Sequence, residues 1–211
     1  MTSLVSFGPV FIVIGLTSCG APSAMNKDCA PKTGAHLFVF GDSITAGSYP
    51  SMVACQTGRE LVNVSIGGTS IEFANQYSMI MIHQRNWAAG DAVLFAPGVN
   101  DGILYAQAPA HVALFTQYVS DIVAMAALHE AVFYIGTPIR SCDEARFGSN
   151  SNSEVYAEIT RAAVDARRAS NVRLIDFRAA FTPTVENTQD CLHPNETGNG
   201  EMAIIFMKEA A

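Results

Sequence analysis

Short apolar runs alternate with longer stretches of helical periodicity along most of this chain. His36–Gly41, Leu61–Ile66, Ala92–Ala96, Ala131–Ile135 and Val172–Ile175 read as strands, each closed by glycine, proline or a polar residue. The segments between and after them predict helices over Pro50–Thr57, Ser70–Trp87, Pro109–His129, Glu154–Ser170 and Glu201–Glu209. In the third of these, Phe115, Tyr118, Val119, Ile122 and Ala126 share one face, the spacing of a core-packing stripe. Trp87 and the Met79–Met81 pair read as core residues in the same way. Ser141–Ser153 is polar and contains glycine, which predicts a surface loop, and Asn100-Asp101-Gly102 has the residue types of a turn. Strands that alternate with helices imply an α/β fold of three layers, α/β/α, with a five-stranded parallel sheet covered on both faces. In the flavodoxin-like strand order 2-1-3-4-5, the switch point lies between the first and third strands, beyond their carboxyl ends.

The first thirty-five residues stand apart from this pattern. Residues 1–18 carry no charge, and Leu4–Thr17 is mostly apolar but short for a membrane span. Leu16-Thr17-Ser18-Cys19 resembles the lipobox of bacterial lipoproteins, in which the cysteine is lipidated and becomes the new N-terminus. No Lys or Arg precedes the apolar stretch, which departs from the usual signal peptide. The expectation is a signal peptide over 1–18, a tether over 19–35 rich in small and polar residues, and a folded domain over 36–211. Such a protein is exported and held at the cell envelope by its lipid alone. The competing readings are a buried N-terminal strand or helix, and initiation at Met25, which would leave a cytosolic protein.

Composition narrows the function classes. The formal net charge is -7, against the clustered basic residues that nucleic-acid binding requires. With 49% hydrophobic and 15% charged residues, the chain has the makeup of a packed globular protein. If Cys19 is lipidated, four cysteines remain, Cys29, Cys55, Cys142 and Cys191, and an even number in an exported protein suggests disulfides. Cys142 follows the fourth strand and Cys191 lies in the last loop, so both belong to one rim of the sheet. Cys29 precedes the first strand and Cys55 lies well down the first helix, toward the opposite end. Linked Cα atoms lie within about 7 Å, so the expected pairs are Cys142–Cys191 and Cys29–Cys55. Buried free thiols are the alternative. No cysteine pair has Cys-x-x-Cys spacing, and His36, His83, His111 and His129 have no metal-ligand spacing. Neither a metal nor an organic cofactor is implied.

Four polar segments fall where ligands bind. Ser43, in Gly41-Asp42-Ser43-Ile44-Thr45, follows the first strand; Gly68 follows the second and Asn100 the third. Asp190 stands three residues before His193 in the last loop. A serine hydroxyl needs a base to take its proton, which His193 can do while Asp190 holds the imidazole tautomer. The Ser43 and Gly68 backbone N–H groups and the Asn100 side-chain amide are candidate oxyanion donors. Read singly, Ser43 could cap a turn, Asn100 could be turn chemistry, and Asp190 and Asn195 could shape a loop around Pro194.

Taken together, Gly-Asp-Ser-Ile-Thr, Gly-Val-Asn-Asp and Asp-Cys-Leu-His-Pro resemble the blocks of the GDSL, or SGNH, hydrolases over roughly residues 36–207. The resemblance implies the SGNH hydrolase fold, with Ser43 as nucleophile and Asp190 and His193 as acid and base. It implies Asn100 as oxyanion donor, and the family's Asn-x-x-x-x-Gly spacing, counted from Asn63, selects Gly68 over Gly67. The implied activity is hydrolysis of carboxylic esters through an acyl-enzyme, with short acyl groups, acetyl foremost, on carbohydrate as the leading substrate class. Alternatives with the same residues are an envelope O-acyltransferase and a lysophospholipase or thioesterase. From another class, a non-catalytic glycan-binding lipoprotein would keep the cleft without turnover.

Overall fold

The computed structural model describes residues 31, 34–85 and 87–210. The expected signal peptide, the lipidation site Cys19 and Cys29 lie outside the described residues, as does most of the tether. The sheet is five-stranded and parallel throughout, in the order β2-β1-β3-β4-β5. Its strands are β1 His36–Gly41, β2 Glu60–Asn63, β3 Ala92–Ala96, β4 Val132–Gly136 and β5 Val172–Ile175. The helices are α1 Tyr49–Thr57, α2 Ile71–Gln84, α3 Val99–Tyr105, α4 Pro109–Ala126, α5 Glu144–Phe147, α6 Asn150–Arg167, α7 Phe177–Ala180 and α8 Glu196–Ala210.

Side-chain alternation along the buried strands divides the core into two layers. Leu37, Val39, Ala92 and Leu94 face one side, where Tyr49 and Val53 of α1 and Met202, Ala203 and Phe206 of α8 cover them. Phe38, Phe40, Val93 and Phe95 face the other, against Ile71 of α2, Phe115, Val119 and Ile122 of α4, and Tyr156 and Val164 of α6. Both faces are dry, which is why the central strands read as continuous apolar runs rather than as alternating ones. The α4 stripe is buried as expected, except that Tyr118 is only half-buried.

Several elements differ from the sequence expectation, each for a local reason. The second strand ends at Asn63, not Ile66, because the Asn63 side chain accepts the Ser65 N–H and bends the chain. Val64 and Ile66 still donate to the Val39 and Gly41 carbonyls, so the segment follows β1 to its end. The second helix stops at Gln84, and Trp87 turns into the core, edge-on to Phe38 at 4.6 Å and to Phe133 at 6.0 Å. The Asn100-Asp101-Gly102 stretch, expected as a turn, lies in the first two turns of helix α3. Ser141–Ser153 is not simply a loop. Asp143 caps α5 by accepting from the Arg146 N–H, and the Ser149 hydroxyl caps α6 by accepting from the Ser151 N–H. Among the described residues no helix is long and apolar enough to cross a membrane.

Candidate active site

The site is built outward from Gly41-Asp42-Ser43. A Cβ on Gly41 would stand 2.5 Å from Thr45 Oγ1 and 2.7 Å from the Ala96 carbonyl oxygen, so only glycine lets β1 end this close to β3. Asp42 then turns the chain. Its Oδ1 accepts the Ile44 N–H at 3.0 Å, and its carbonyl accepts from the Ala46 N–H and the Thr45 hydroxyl. This turn lifts Ser43 onto the carboxyl rim of the sheet with its side chain partly exposed. Ser43 does not cap α1, whose N-cap residue is Ser48.

The last loop brings the other half. His193 Nε2 lies 2.9 Å from Ser43 Oγ, and His193 Nδ1 lies 2.9 Å from Asp190 Oδ2 and 3.1 Å from Oδ1. As a carboxylate Asp190 can only accept, which puts the proton on Nδ1 and leaves Nε2 free to accept from Ser43. Asp190 Oδ1 also accepts the Leu192 and His193 backbone N–H groups at 3.1 and 2.8 Å. Burial pushes the Asp190 carboxyl up, but hydrogen bonds from His193 and Leu192 outweigh it and hold the group below its ordinary range. Arg146 Nη2 stands 3.9 Å from Asp190 Oδ2 on the solvent side.

The other expected site residues lie on the facing edge. Gly68 has φ +77, a conformation that favours glycine, and its N–H takes no partner among the described residues. A Cβ on its neighbour Gly67 would lie 3.6 Å from the Ser43 Cβ, which places this turn against the serine. Asn100 Nδ2 donates to the Thr69 carbonyl at 3.1 Å, leaving its second N–H uncommitted. The Ser43 N–H is likewise unpaired among the described residues. A serine–histidine–carboxylate relay beside three uncommitted N–H donors can run acyl transfer. Among the described residues, no group of three or more His, Cys, Asp or Glu is placed to hold a metal ion.

Cys142 and Cys191 form the expected disulfide, with Cα atoms 4.8 Å apart, and the Cys142 N–H donates to the Cys191 carbonyl. Cys55 is also disulfide-bonded. Cys19 and Cys29 lie outside the described residues, so its expected pairing with Cys29 is not placed. Residues that sequence reasoning passed over hold the site in shape. Asn199 Oδ1 accepts the Tyr49 N–H while its Nδ2 donates to the Pro194 and Asn195 carbonyls, tying α1 to the histidine loop. Asn63, used only to count to Gly68, donates to the Thr45 carbonyl at 2.8 Å. Asn199 is buried, so its amide must find partners, whereas Asn63 stays exposed at the end of β2 and no sequence signal marks it.

The fold has counterparts among solved structures. In overall fold the chain is similar to a lipase/acylhydrolase from Enterococcus faecalis, with 19% identity, a TM-score of 0.66, and 83% of this chain and 94% of that chain covered. An α/β hydrolase from the metagenome of Lake Arreo, Spain, has 17% identity, a TM-score of 0.67 and coverage of 83% and 94%. The acetylxylan esterase Axe2 of Geobacillus stearothermophilus has 19% identity, a TM-score of 0.63 and coverage of 86% and 95%. No curated protein matches the sequence. Residues 39–200 match the GDSL-like lipase/acylhydrolase family, a span that runs from the end of the first strand through the histidine loop, so the chain belongs to that family and is a carboxylic ester hydrolase of the SGNH type.

Proposed function

We propose that the protein is a serine esterase that cleaves carboxylic esters through an acyl-enzyme on Ser43, with acetyl groups on carbohydrate as its substrates. The observation that carries the mechanism is the unbroken chain Ser43 Oγ to His193 Nε2, and His193 Nδ1 to Asp190 Oδ2, each step 2.9 Å. In this reading Ser43 Oγ attacks the ester carbonyl carbon as His193 Nε2 takes its proton. The negative charge on the former carbonyl oxygen is met by the Ser43 and Gly68 N–H groups and Asn100 Nδ2. Collapse breaks the bond to the alcohol oxygen, which leaves with the proton from His193. Water then repeats the sequence on the acyl-enzyme, with His193 as base, releasing the acid and the free serine. Asp190 stays ionised throughout and stabilises the imidazolium.

Two observations support a short acyl group. A small cleft beside the histidine loop, with Val99, Ile139 and Leu192 on one side and Ser141, Asn150 and Ser153 on the other, has room for little more than one water-sized group. In this reading its apolar side takes a methyl group. The similarity to an acetylxylan esterase points the same way for carbohydrate as the alcohol. A panel of p-nitrophenyl esters from acetate to decanoate, with acetylated xylooligosaccharides, tests the reading. Highest kcat/KM on acetyl esters and release of acetate from the sugars are expected. A preference for decanoate would overturn the acyl assignment, and full activity in Ser43→Ala would overturn the mechanism.

A further inference from the structure

One buried hydrogen-bonded pair takes no part in the relay described above. His111, in the first turn of α4, is 8% exposed, and its Nε2 lies 2.7 Å from Oδ1 of Asp101, which is fully buried in α3. The imidazole is sandwiched, stacked on Tyr105 at 3.8 Å and edge-on to Tyr156 at 6.1 Å. A buried pair of this kind is weak evidence for stability, because apolar residues of the same volume would hold the core as well or better. What Asp101 touches on its other side is more informative. Both of its oxygens accept the Ile71 N–H at 3.1 Å. Ile71 opens α2, whose N-cap Ser70 makes no side-chain capping bond. Asp101 therefore caps α2 from a different helix, with its carboxyl at the positive end of that helix.

The residue before it is Asn100, whose amide donates to the Thr69 carbonyl. Two successive residues of α3 thus grip one short segment at two points, Thr69 and Ile71. That segment carries Gly68. The distance between the Gly68 N–H and the Asn100 amide is set by these two bonds and by whatever keeps the Asp101 carboxylate in place. The His111 hydrogen bond is the contact that keeps it there; burial pushes the Asp101 carboxyl above its ordinary range, and the bond from His111 is the strongest influence against that.

We propose that His111 is a positioning residue for ester hydrolysis: through Asp101 it fixes the Gly68 and Asn100 donors at the spacing the oxyanion requires. This rests on the reading of Asn100 as an oxyanion donor. Donors fixed before the reaction lower the barrier, and small displacements forfeit much of that. The effect falls on kcat, because the oxyanion exists only in the transition state and the intermediate.

The test is a double-mutant cycle on p-nitrophenyl acetate hydrolysis, with Tm measured for each variant. His111→Ala is expected to lower kcat by roughly ten- to a hundred-fold with KM little changed. His111→Gln, whose amide can reach Asp101, restores most of the loss, whereas His111→Asn, too short to reach, does not. Should the alanine variant fail to fold, the glutamine and asparagine variants carry the comparison. In an Asn100→Ala background, replacing His111 costs much less than it does alone, because the donor it holds is already gone. A fully multiplicative loss in the double variant overturns the proposal. So does a drop in Tm with kcat unchanged, or equal kcat for His111→Gln and His111→Asn. If Asn100→Ala itself leaves kcat unchanged, the oxyanion reading falls and this proposal with it, so the two failures are told apart by that single variant.

Discussion

At the residue scale, each member of the Gly-Asp-Ser block is fixed by a different constraint. Gly41 is required by the close approach of β1 to β3, Asp42 makes the turn, and Ser43 is exposed by it. Asp42 Oδ2 is buried with no hydrogen-bond partner among the described residues. Burial, opposed by the Ile44 N–H and reinforced by the nearby Asp101 charge, pushes the Asp42 carboxyl up to about 7. A folded pKa above the unfolded one means that the native state holds this proton more tightly. The contribution to stability is therefore full below about pH 4 and lost as pH rises through about 7. The Tm of the wild type should fall between pH 5 and pH 8 relative to Asp42→Asn, whose amide oxygen can still accept from Ile44; parallel Tm curves would contradict this. For the chemistry, Asn100→Ala should lower kcat roughly a hundred- to a thousand-fold with KM little changed, and steady-state kinetics on an acetyl ester checks it. An effect confined to KM would make Asn100 a substrate-binding residue.

At the scale of elements, the histidine loop is not part of any strand or helix, yet it must hold a relay to fractions of an ångström. It is pinned at several points. Thr188 pairs with Pro194, and Gln189 donates to the His193 carbonyl at 2.8 Å. Asn199 reaches back from α8, and the Cys142–Cys191 bond ties the loop to the segment after β4. Cys191 has φ +70, a conformation a non-glycine residue rarely adopts, so the bridge and the Thr188 hydroxyl on its N–H hold it against its preference. With a sequence separation of 49 residues, the bridge is worth about 4 kcal/mol in the chain-entropy model. Mild reduction should lower kcat while far-UV circular dichroism is still native, and Cys142→Ala with Cys191→Ala should reproduce it. Loss of activity only in step with unfolding would mean that the bridge serves the whole fold and not the loop.

At the scale of the molecule, the site needs pieces from three strand ends and the C-terminal loop, spread from Ser43 to His193. The sheet order places β1 beside β3, and α8 packs against α1, so the serine turn is held between the histidine loop and the Gly68–Asn100 edge. Phe206 of α8 is buried against Tyr134 at 4.8 Å. Phe206→Ala should cost about 3–5 kcal/mol of stability by urea unfolding while kcat of the remaining folded protein is unchanged. The N-terminal segment carries a separate proposal, export and lipid anchoring at Cys19, motivated by the uncharged apolar stretch ending in Leu16-Thr17-Ser18-Cys19. Mass spectrometry of membrane-extracted protein should find an acylated N-terminal cysteine; an unprocessed Met1 or a start at Met25 would refute it.

The sequence by itself determined the layering, the parallel sheet and the residues of the relay. Each of those leaves a local mark: a dry strand is a continuous apolar run, and Ser43, Asp190 and His193 need the side-chain chemistry they have. The Cys142–Cys191 pair is legible from topology, because the segments that carry the two cysteines end at one rim of the sheet. Tertiary structure decided what depends on partners distant in sequence. Asn100-Asp101-Gly102 has turn residues, and it is helical because Asp101 is drawn into a buried bond with Ile71 and His111, neither adjacent in sequence. Ser141–Ser153 is polar, and it is ordered because Arg178, buried in α7, binds Glu154, the Ser153 hydroxyl and the Asn150 carbonyl. Asn63 and Asn199 look like any exposed asparagine until the fold gives their amides carbonyls to bind. Apolar periodicity is a property of one segment, whereas a buried polar group is defined by the segments that satisfy it, and the chain shows that only once it is folded.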